Sequence, residues 1–309
     1  MKNTIKYMIA ALLGTSLAGC QIVLEEPNLE DQPQGEKTYL LTVQATNDLD
    51  TKAMNVEGNT LTVSWKNGER INVFLGGTYK GYLEVTSADG VSPATLSGPI
   101  SEVSKDDVLT LIFPGRGDKL WTYNGQDGTQ PDATGAMATG FDYATASLTV
   151  DSVVGDVVTI NGTAAFKNQQ SIYRFGFKVG GAGDHIAIKS LILSSNQGKL
   201  VTSRSYVTSA WTSTYGPISL NPASTSTPLD PLYWIAVRNE NATVSDSYSF
   251  SIVGTDNALY EGTKAIPVEA LGSEGNPVYK FISAQNISVS AKAFAPAVSG
   301  VVATINEVL

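Results

Sequence analysis

Apolar and polar residues alternate with a period of two along most of the chain, and this alternation constrains the fold more than any other feature. Near the start, Tyr39, Leu41 and Val43 fall on one face of residues 37–45, as expected of a strand with one buried side. The same spacing recurs in residues 60–65, 173–179 and 248–252. No long segment past residue 20 shows the 3.6-residue spacing of an amphipathic helix. The pattern predicts many short strands.

Dense turn signals separate these segments. Pairs such as Asn67-Gly68 and Asn161-Gly162 favour the positive φ angles that tight hairpins need. Short alternating strands joined in this way bury their apolar faces well when sheet packs on sheet. The sequence therefore predicts an all-β protein of two β-sandwich domains in tandem. The turn-rich residues 115–140 end the first pattern, and we place the division so that the domains span residues 37–160 and 161–309.

The first twenty residues have the organisation of an export signal. Two early lysines precede an apolar run, residues 7–13, which is shorter than the roughly 20 apolar residues of a membrane span. Leu-Ala-Gly then leads into Cys20, the single cysteine of the chain, as in a bacterial lipobox. We predict a signal peptide at residues 1–19, lipid attachment at Cys20 and a polar tether over residues 20–36. An ordinary signal peptide with a chance cysteine is the alternative.

Charge and residue types exclude several function classes. The net charge is −9, so no basic surface is expected to neutralise the phosphates of nucleic acid. One histidine and one lipid-bearing cysteine cannot build the usual zinc site, and we expect no metal and no cofactor. His185 beside Asp184 is interpreted as a solvated turn residue. Because no nucleophile elbow, phosphate loop or HExxH motif occurs, we predict that the protein is not an enzyme. The alternative is a pair of carboxylates for glycoside hydrolysis, which needs only two acids brought together in space, but the sequence picks out no such pair.

Three aromatic residues raise a separate hypothesis. Trp121, Tyr123 and Trp211 lie in segments rich in glycine, serine and threonine, where an exposed ring could stack on a sugar. The competing interpretation is that these rings pack over the ends of the sandwiches. The first interpretation predicts a glycan-binding surface, and the second predicts only structure.

Several motifs follow one another in a characteristic order. Besides the lipobox, they are Trp65-Lys-Asn-Gly-Glu-Arg-Ile-Asn-Val-Phe74, Ala94-Thr-Leu-Ser-Gly98, Leu111-Ile-Phe-Pro114 and residues 165–175. Their order resembles that of the motifs in the fimbrillin-like proteins, which build the type V pili of gut and oral anaerobic bacteria, although Glu69 stands where that family has Asp. The resemblance spans nearly the whole chain. It implies two sandwiches of transthyretin-like, Greek-key type and a pilus subunit that reaches the outer membrane as a lipoprotein, held in the lipid by acylated Cys20.

The resemblance also implies that a trypsin-like protease removes the tether and the first strand. The matching bond is Lys52–Ala53, where the family's best-known members have Arg, and an uncut loop lysine is the alternative. Loss of a strand leaves an apolar groove with unpaired backbone groups on its flanks, which a strand of another chain can fill. Tyr39, Leu41 and Val43 are predicted to plug this groove before cleavage.

Head-to-tail filling of identical grooves does not close on itself and gives a filament. The candidate donor is the C-terminal tail with Val298, Val301 and Val302. Whether the subunit belongs to stalk, tip or anchor stays open. The alternative function is a surface-anchored lipoprotein that binds host or microbial glycans without assembling. A first strand that is detached from the body, or held between two neighbours in the middle of a sheet, would overturn this account of polymerisation.

Overall fold

A computed structural model describes residues 37–47, 54–57, 60–117, 121–125, 143–221, 232–267 and 281–292. The signal peptide, the tether, and the predictions on Cys20, Lys52, Ala53, Val298, Val301 and Val302 lie outside these residues. Every regular element in the described ranges is a strand, so the all-β prediction is confirmed. None of the described residues forms a helix with the length and apolar character needed to cross a bilayer.

The described ranges contain twenty strands. In chain order they are β1 Thr38–Asn47, β2 Met54–Glu57, β3 Thr60–Val63, β4 Arg70–Leu75, β5 Thr78–Val85, β6 Ala94–Ser101, β7 Val108–Phe113, β8 Trp121–Asn124, β9 Ala144–Val154, β10 Val157–Ile160, β11 Ala164–Asn168, β12 Ser171–Val179, β13 Ile188–Ser195, β14 Val201–Val207, β15 Ala210–Tyr215, β16 Ile218–Leu220, β17 Leu232–Val237, β18 Ser247–Gly254, β19 Leu259–Ala265 and β20 Phe281–Ala291.

The strands of the first half close into a ring. Starting from β1, each strand pairs with the next in the order β1, β6, β5, β4, β7 and β9. From β9 the sheet returns to β1 through β10 and β11, which lie end to end between the two longer strands. Because the last strand pairs with the first, the ring has no edge strand among these elements. The first of the two predicted sandwiches thus takes the form of a sheet closed on itself.

The interior of the ring is mainly aliphatic. Trp65 is 1 % exposed and meets Phe113 and Phe166 edge to face, with ring centroids 5.7 and 5.2 Å apart. The remaining buried side chains of this core are almost all Leu, Ile, Val and Ala. Alternation along each strand supplies them, since every second side chain points into the ring.

The first strand is paired on both sides. β1 runs antiparallel to β6 over eight residue pairs, from Thr38↔Ser101 to Ala45↔Ala94. On its other side it runs parallel to β10 and β11. This position, between two neighbours within a sheet, is the one that the sequence analysis named as evidence against strand removal, and removal of β1 stays a prediction. A strand placed here leaves only by breaking two ladders.

The second half is built on an open sheet of seven strands in the order β16, β13, β18, β19, β20, β12 and β17. Its core is aromatic, with Phe175 stacked on Tyr173 at 5.0 Å and meeting Phe250 at 5.1 Å. The chain passes from the ring to this sheet between Asn168 and Ser171, because β11 still pairs within the ring. The predicted division between residues 160 and 161 falls before β11, and separate domains stay a prediction.

A third sheet, of three strands, connects the two halves. β8, which lies between β7 and β9 in sequence, pairs with β14, and β14 pairs with β15 in a hairpin. One strand from the first half therefore completes a sheet whose other strands come from the second half. β2 and β3 form a separate two-stranded sheet.

Candidate functional site

The slot occupied by β1 is the first candidate site, and its floor is apolar. Leu41 and Ala45 are fully buried and Val43 is 4 % exposed. Tyr39 is partly buried against the same core, with the ammonium nitrogen of Lys37 4.9 Å from its ring centroid. Burying a Leu or Val side chain contributes about 1.5–3 kcal/mol. The structure therefore places all three predicted plug residues against the interior of the ring.

On its solvent side, β1 is also bound to β6 by polar side-chain contacts. The hydroxyl groups of Thr42 and Ser97 lie 2.8 Å apart, and the amide nitrogen of Gln44 donates to the Thr95 hydroxyl at 3.0 Å. Both partners belong to β6. The slot therefore recognises β1 through two backbone ladders, an apolar floor and a polar outer face.

The walls of the slot come from distant parts of the chain. β6 lies at residues 94–101, and β10 and β11 lie between residues 157 and 168. The next strand in sequence, β2, pairs with β3 and not with the ring in the described structure. A cut within residues 48–53 would therefore leave β1 attached to the ring by non-covalent contacts alone.

The junction between the two halves is the second candidate site, and it contains the aromatic residues singled out in the sequence. Trp121 is fully buried and Tyr123 is 1 % exposed. The Trp121 indole N–H donates to the carbonyl oxygen of Pro114 at 2.9 Å, and its ring centroid lies 4.9 Å from that of Tyr143 and 5.6 Å from that of Trp211. These aromatic side chains form one cluster with side chains from the closed sheet of the first half and from the open sheet of the second half.

The glycan-stacking prediction does not fit Trp121 and Tyr123. A sugar needs an exposed ring face, and both rings are enclosed because β8 pairs with β14, roughly eighty residues further along the chain. Trp211 is half-buried, and the guanidinium carbon of Arg204 lies 4.1 Å from its ring centroid. The competing interpretation, that these rings pack within the structure, describes Trp121 and Tyr123.

A polar cluster that the sequence did not reveal adjoins these rings. Glu240 accepts from the Arg238 guanidinium at 2.9 Å, from the Tyr215 hydroxyl at 2.7 Å and from the Ser213 hydroxyl at 3.0 Å. Arg204 forms a longer ion pair with the same carboxylate at 3.5 Å. Burial raises the pKa of Glu240, but these hydrogen bonds and the Arg238 charge lower it more, so its pKa lies below the ordinary value.

The electrostatics of the junction favour structure over chemistry. Burial lowers the pKa of Arg204, and the neighbouring Arg238 charge lowers it further. Burial is also the main cause that raises the pKa of Tyr123 and of Tyr143, so both phenols stay neutral. Two arginines thus share one carboxylate beneath uncharged rings. A buried arrangement of this kind holds its partners in one geometry and is costly to disrupt.

The one histidine lies away from both sites. His185 forms an isolated β-bridge with Lys178, and Asp184 beside it is exposed. Within the described ranges, no three His, Cys, Asp or Glu side chains stand close enough together to bind a metal ion.

Neither a protein-family model nor a curated protein matches the chain. Solved structures do. A proposed cell adhesion protein from Bacteroides ovatus is 13% identical, covers 82% of this chain and 95% of its own, and has a TM-score of 0.44. A second, from Bacteroides uniformis, is 14% identical over 84% and 98% of the two chains, with a TM-score of 0.43. A fimbrilin from Porphyromonas gingivalis is 11% identical over 79% and 80%, with a TM-score of 0.36.

Proposed function

We propose that the chain is a structural subunit of an adhesive fibre on the cell surface, which joins its neighbours by exchanging β1 for a strand of another subunit. The observation that carries the proposal is the slot of β1, with its apolar floor and its two walls of backbone donors and acceptors. A strand of suitable side chains can pair with both walls, since main-chain bonds supply affinity and alternate side chains supply register.

Exchange replaces simple departure in this proposal, because β1 is held on both sides. Export as a lipoprotein on Cys20 brings the subunit to the outer membrane, and a cut at Lys52–Ala53 leaves β1 held without a covalent link. An incoming strand, for which the tail with Val298, Val301 and Val302 is the candidate, then displaces β1 pair by pair. Stepwise displacement avoids an empty slot, whose unpaired backbone groups and bare apolar floor would be costly.

The experiment compares the uncut and the cut chain, both as the Cys20→Ala variant so that lipid plays no part. Limited digestion with a trypsin-like protease should cut after Lys52, and native mass spectrometry should first find the β1 fragment still bound. Concentration of the cut protein should then give ladders on mildly heated SDS gels as the fragment is lost. The Lys52→Gln variant is the matched control and should stay uncut and form no ladder.

A labelled peptide of residues 37–47 tests the slot directly. It should enter the cut protein slowly, whereas the same peptide with Leu41→Asp and Val43→Asp should not, because a carboxylate would replace each apolar plug. Cut protein that keeps its own fragment for days, takes up neither peptide and forms no ladder would reject strand exchange.

The second candidate is a permanently anchored surface lipoprotein that binds glycans, and the pairing of β1 on both sides favours it. In that case protein released from cells should begin at acylated Cys20 and not at Ala53, as read by mass spectrometry. Its glycan site would have to use Trp211 and not Trp121 or Tyr123. Flat titrations across a broad glycan panel, unchanged by Trp211→Ala, would remove this candidate.

A further inference from the structure

The three-stranded sheet ends in a strand with one unpaired side. β15 pairs with β14 alone, and in the described structure no backbone hydrogen bond reaches it from elsewhere. Thr208 and Ser209 both have positive φ, 49° and 65°, and form the two-residue turn of a type I′ hairpin. Pairs that do and do not exchange hydrogen bonds alternate from this turn onward. The N–H and C=O groups of Trp211 and Ser213 therefore point away from β14.

In the part of the chain that the structure describes, the free edge of β15 lacks most of the usual protection, and the one irregularity in its pairing lies on β14, between Val201 and Ser203 at the far end from the turn. Exposed edge strands commonly carry a charge, a proline or a bulge, or are very short. β15 has six residues, Ala-Trp-Thr-Ser-Thr-Tyr, with no charge and no proline. At the opposite edge of the sheet, the Arg116 guanidinium donates to the Thr122 carbonyl oxygen of β8 at 2.8 Å and covers it. A side chain thus covers a backbone carbonyl at the β8 edge of the sheet, whereas the described structure shows no such cover at the β15 edge.

The edge is also held in place before any partner arrives. Gly77, in the turn between β4 and β5, packs so closely on the backbone of Thr208 and Ser209 that no larger residue fits there. On the strand itself, the Trp211 ring lies in the junction cluster, and Ser213 donates to Glu240. A strand fixed at its turn and along one face loses little further freedom when it pairs.

Charge indicates which partner fits. The chain carries a net charge of −9, so copies of it repel one another over most of their surfaces. The three strands of this sheet carry a single charged residue, Arg204, whose side chain is 8 % exposed. Two copies can therefore approach through this sheet with little repulsion. The exposed side of β15 presents Thr212 and Thr214, and threonine pairs across strands are favourable.

We propose that β15 pairs antiparallel with β15 of a second copy of this chain, so that two three-stranded sheets join into one of six strands. The two strands are identical and antiparallel, so the contact has two-fold symmetry and closes on itself. It uses neither the slot of β1 nor the C-terminal tail. It therefore goes beyond the proposed function and would connect subunits side by side.

The test uses the uncut Cys20→Ala chain, in which β1 stays in place, and measures its mass by sedimentation over a wide concentration range. The wild-type sequence should show a reversible monomer–dimer equilibrium. The double variant Thr212→Lys/Thr214→Lys should weaken it at least about tenfold, because like charges then face each other across the pair. Thr212→Glu/Thr214→Glu should do the same, and an equimolar mixture of the two should restore dimers.

The matched control is Thr149→Lys, which places a lysine at an exposed threonine of the ring and should leave the equilibrium unchanged. Unaltered melting temperatures will show that the variants are folded. A wild-type chain that stays monomeric at millimolar concentration overturns the proposal. So do lysine and glutamate variants that dimerise normally, and a mixture that fails to restore dimers. None of these results depends on cleavage, so failure here is distinct from failure of strand exchange.

Discussion

The first and the last strand of the described chain are inserted in the same manner but in different surroundings. β1 lies between antiparallel β6 and parallel β10 and β11. β20 lies between antiparallel β19 and parallel β12. Each strand thus joins segments that are distant in sequence. The sheets around them differ, because the ring is closed and the second sheet is open.

The difference decides what remains when the strand is lost. In the ring, the strands that flank β1 stay connected through β5, β4, β7 and β9, so both walls of an emptied slot keep their places. In the open sheet, β20 connects two groups of strands. β12 and β17 lie on one side of it, and β16, β13, β18 and β19 lie on the other. Loss of β20 would divide that sheet. Of the two halves, only the ring would stay connected after losing its terminal strand.

The largest expected effect is at the junction between the halves. The comparison would fail if the two halves unfolded independently of each other. Trp121→Ala should lower the free energy of unfolding by about 3–5 kcal/mol, because it empties a fully buried site among rings of both halves. Calorimetry should show one transition for the wild type and a broadened or divided one for the variant. The control is Thr122→Ala, at the exposed neighbouring position. Its free energy of unfolding should stay within about 0.5 kcal/mol of that of the wild type. Two separate wild-type transitions would contradict coupling of the halves.

The next effect compares the terminal strands directly. Leu41→Ala and Ile287→Ala each remove a buried aliphatic side chain and should each cost about 2–5 kcal/mol. Hydrogen exchange should separate them: faster exchange confined to β1, β6, β10 and β11 in the first variant, and spread across the open sheet in the second. Leu40→Ala, at a half-exposed position of β1, is the control. Equally widespread exchange in both variants would remove the distinction between ring and open sheet.

The smallest effect concerns pH. The pKa of Glu240 is lowered in the folded protein, so its stabilisation is complete above the unfolded pKa, about 4.3, and is lost as the pH falls through the folded value. Glu240→Gln should cost about 1–3 kcal/mol at neutral pH and flatten this acid dependence. The control is Glu84→Gln. Glu84 forms an ion pair with Arg70 at 2.9 Å, and the two side chains are 38–40% exposed, so this substitution should lower the free energy of unfolding by at most about 1 kcal/mol. Denaturant titrations between pH 3 and 7 would measure both.

The strands were predictable because alternation is a local signal. Residues 173–179 were expected to form a strand and lie within β12, and the face with Leu41 and Val43 is buried as the spacing indicated. Pairing partners were not predictable, because β1 meets strands that begin more than fifty residues later. This is why the hold on β1 from both sides was missed.

The junction was missed for a related reason. Trp121 and Tyr123 lie among glycine, serine and threonine residues, and that composition suggested exposure. Their spacing of two was the available signal, since it fits a strand with one buried face. The cluster of Arg204, Arg238 and Glu240 left no signal, because β15, β16 and β17 lie between Arg204 and its partners along the chain.

The buried side chains of β1 decrease in size along the strand, from Leu41 through Val43 to Ala45. One wall of their slot is antiparallel and the other parallel, so a replacement strand finds one matching wall whichever end enters first. Backbone pairing alone thus gives little preference for direction. The taper supplies it: a strand entered in reverse would force a bulky residue into the space shaped for a methyl group. In the proposed exchange, graded side-chain volume would then fix the direction in which a neighbour's strand lies in the slot.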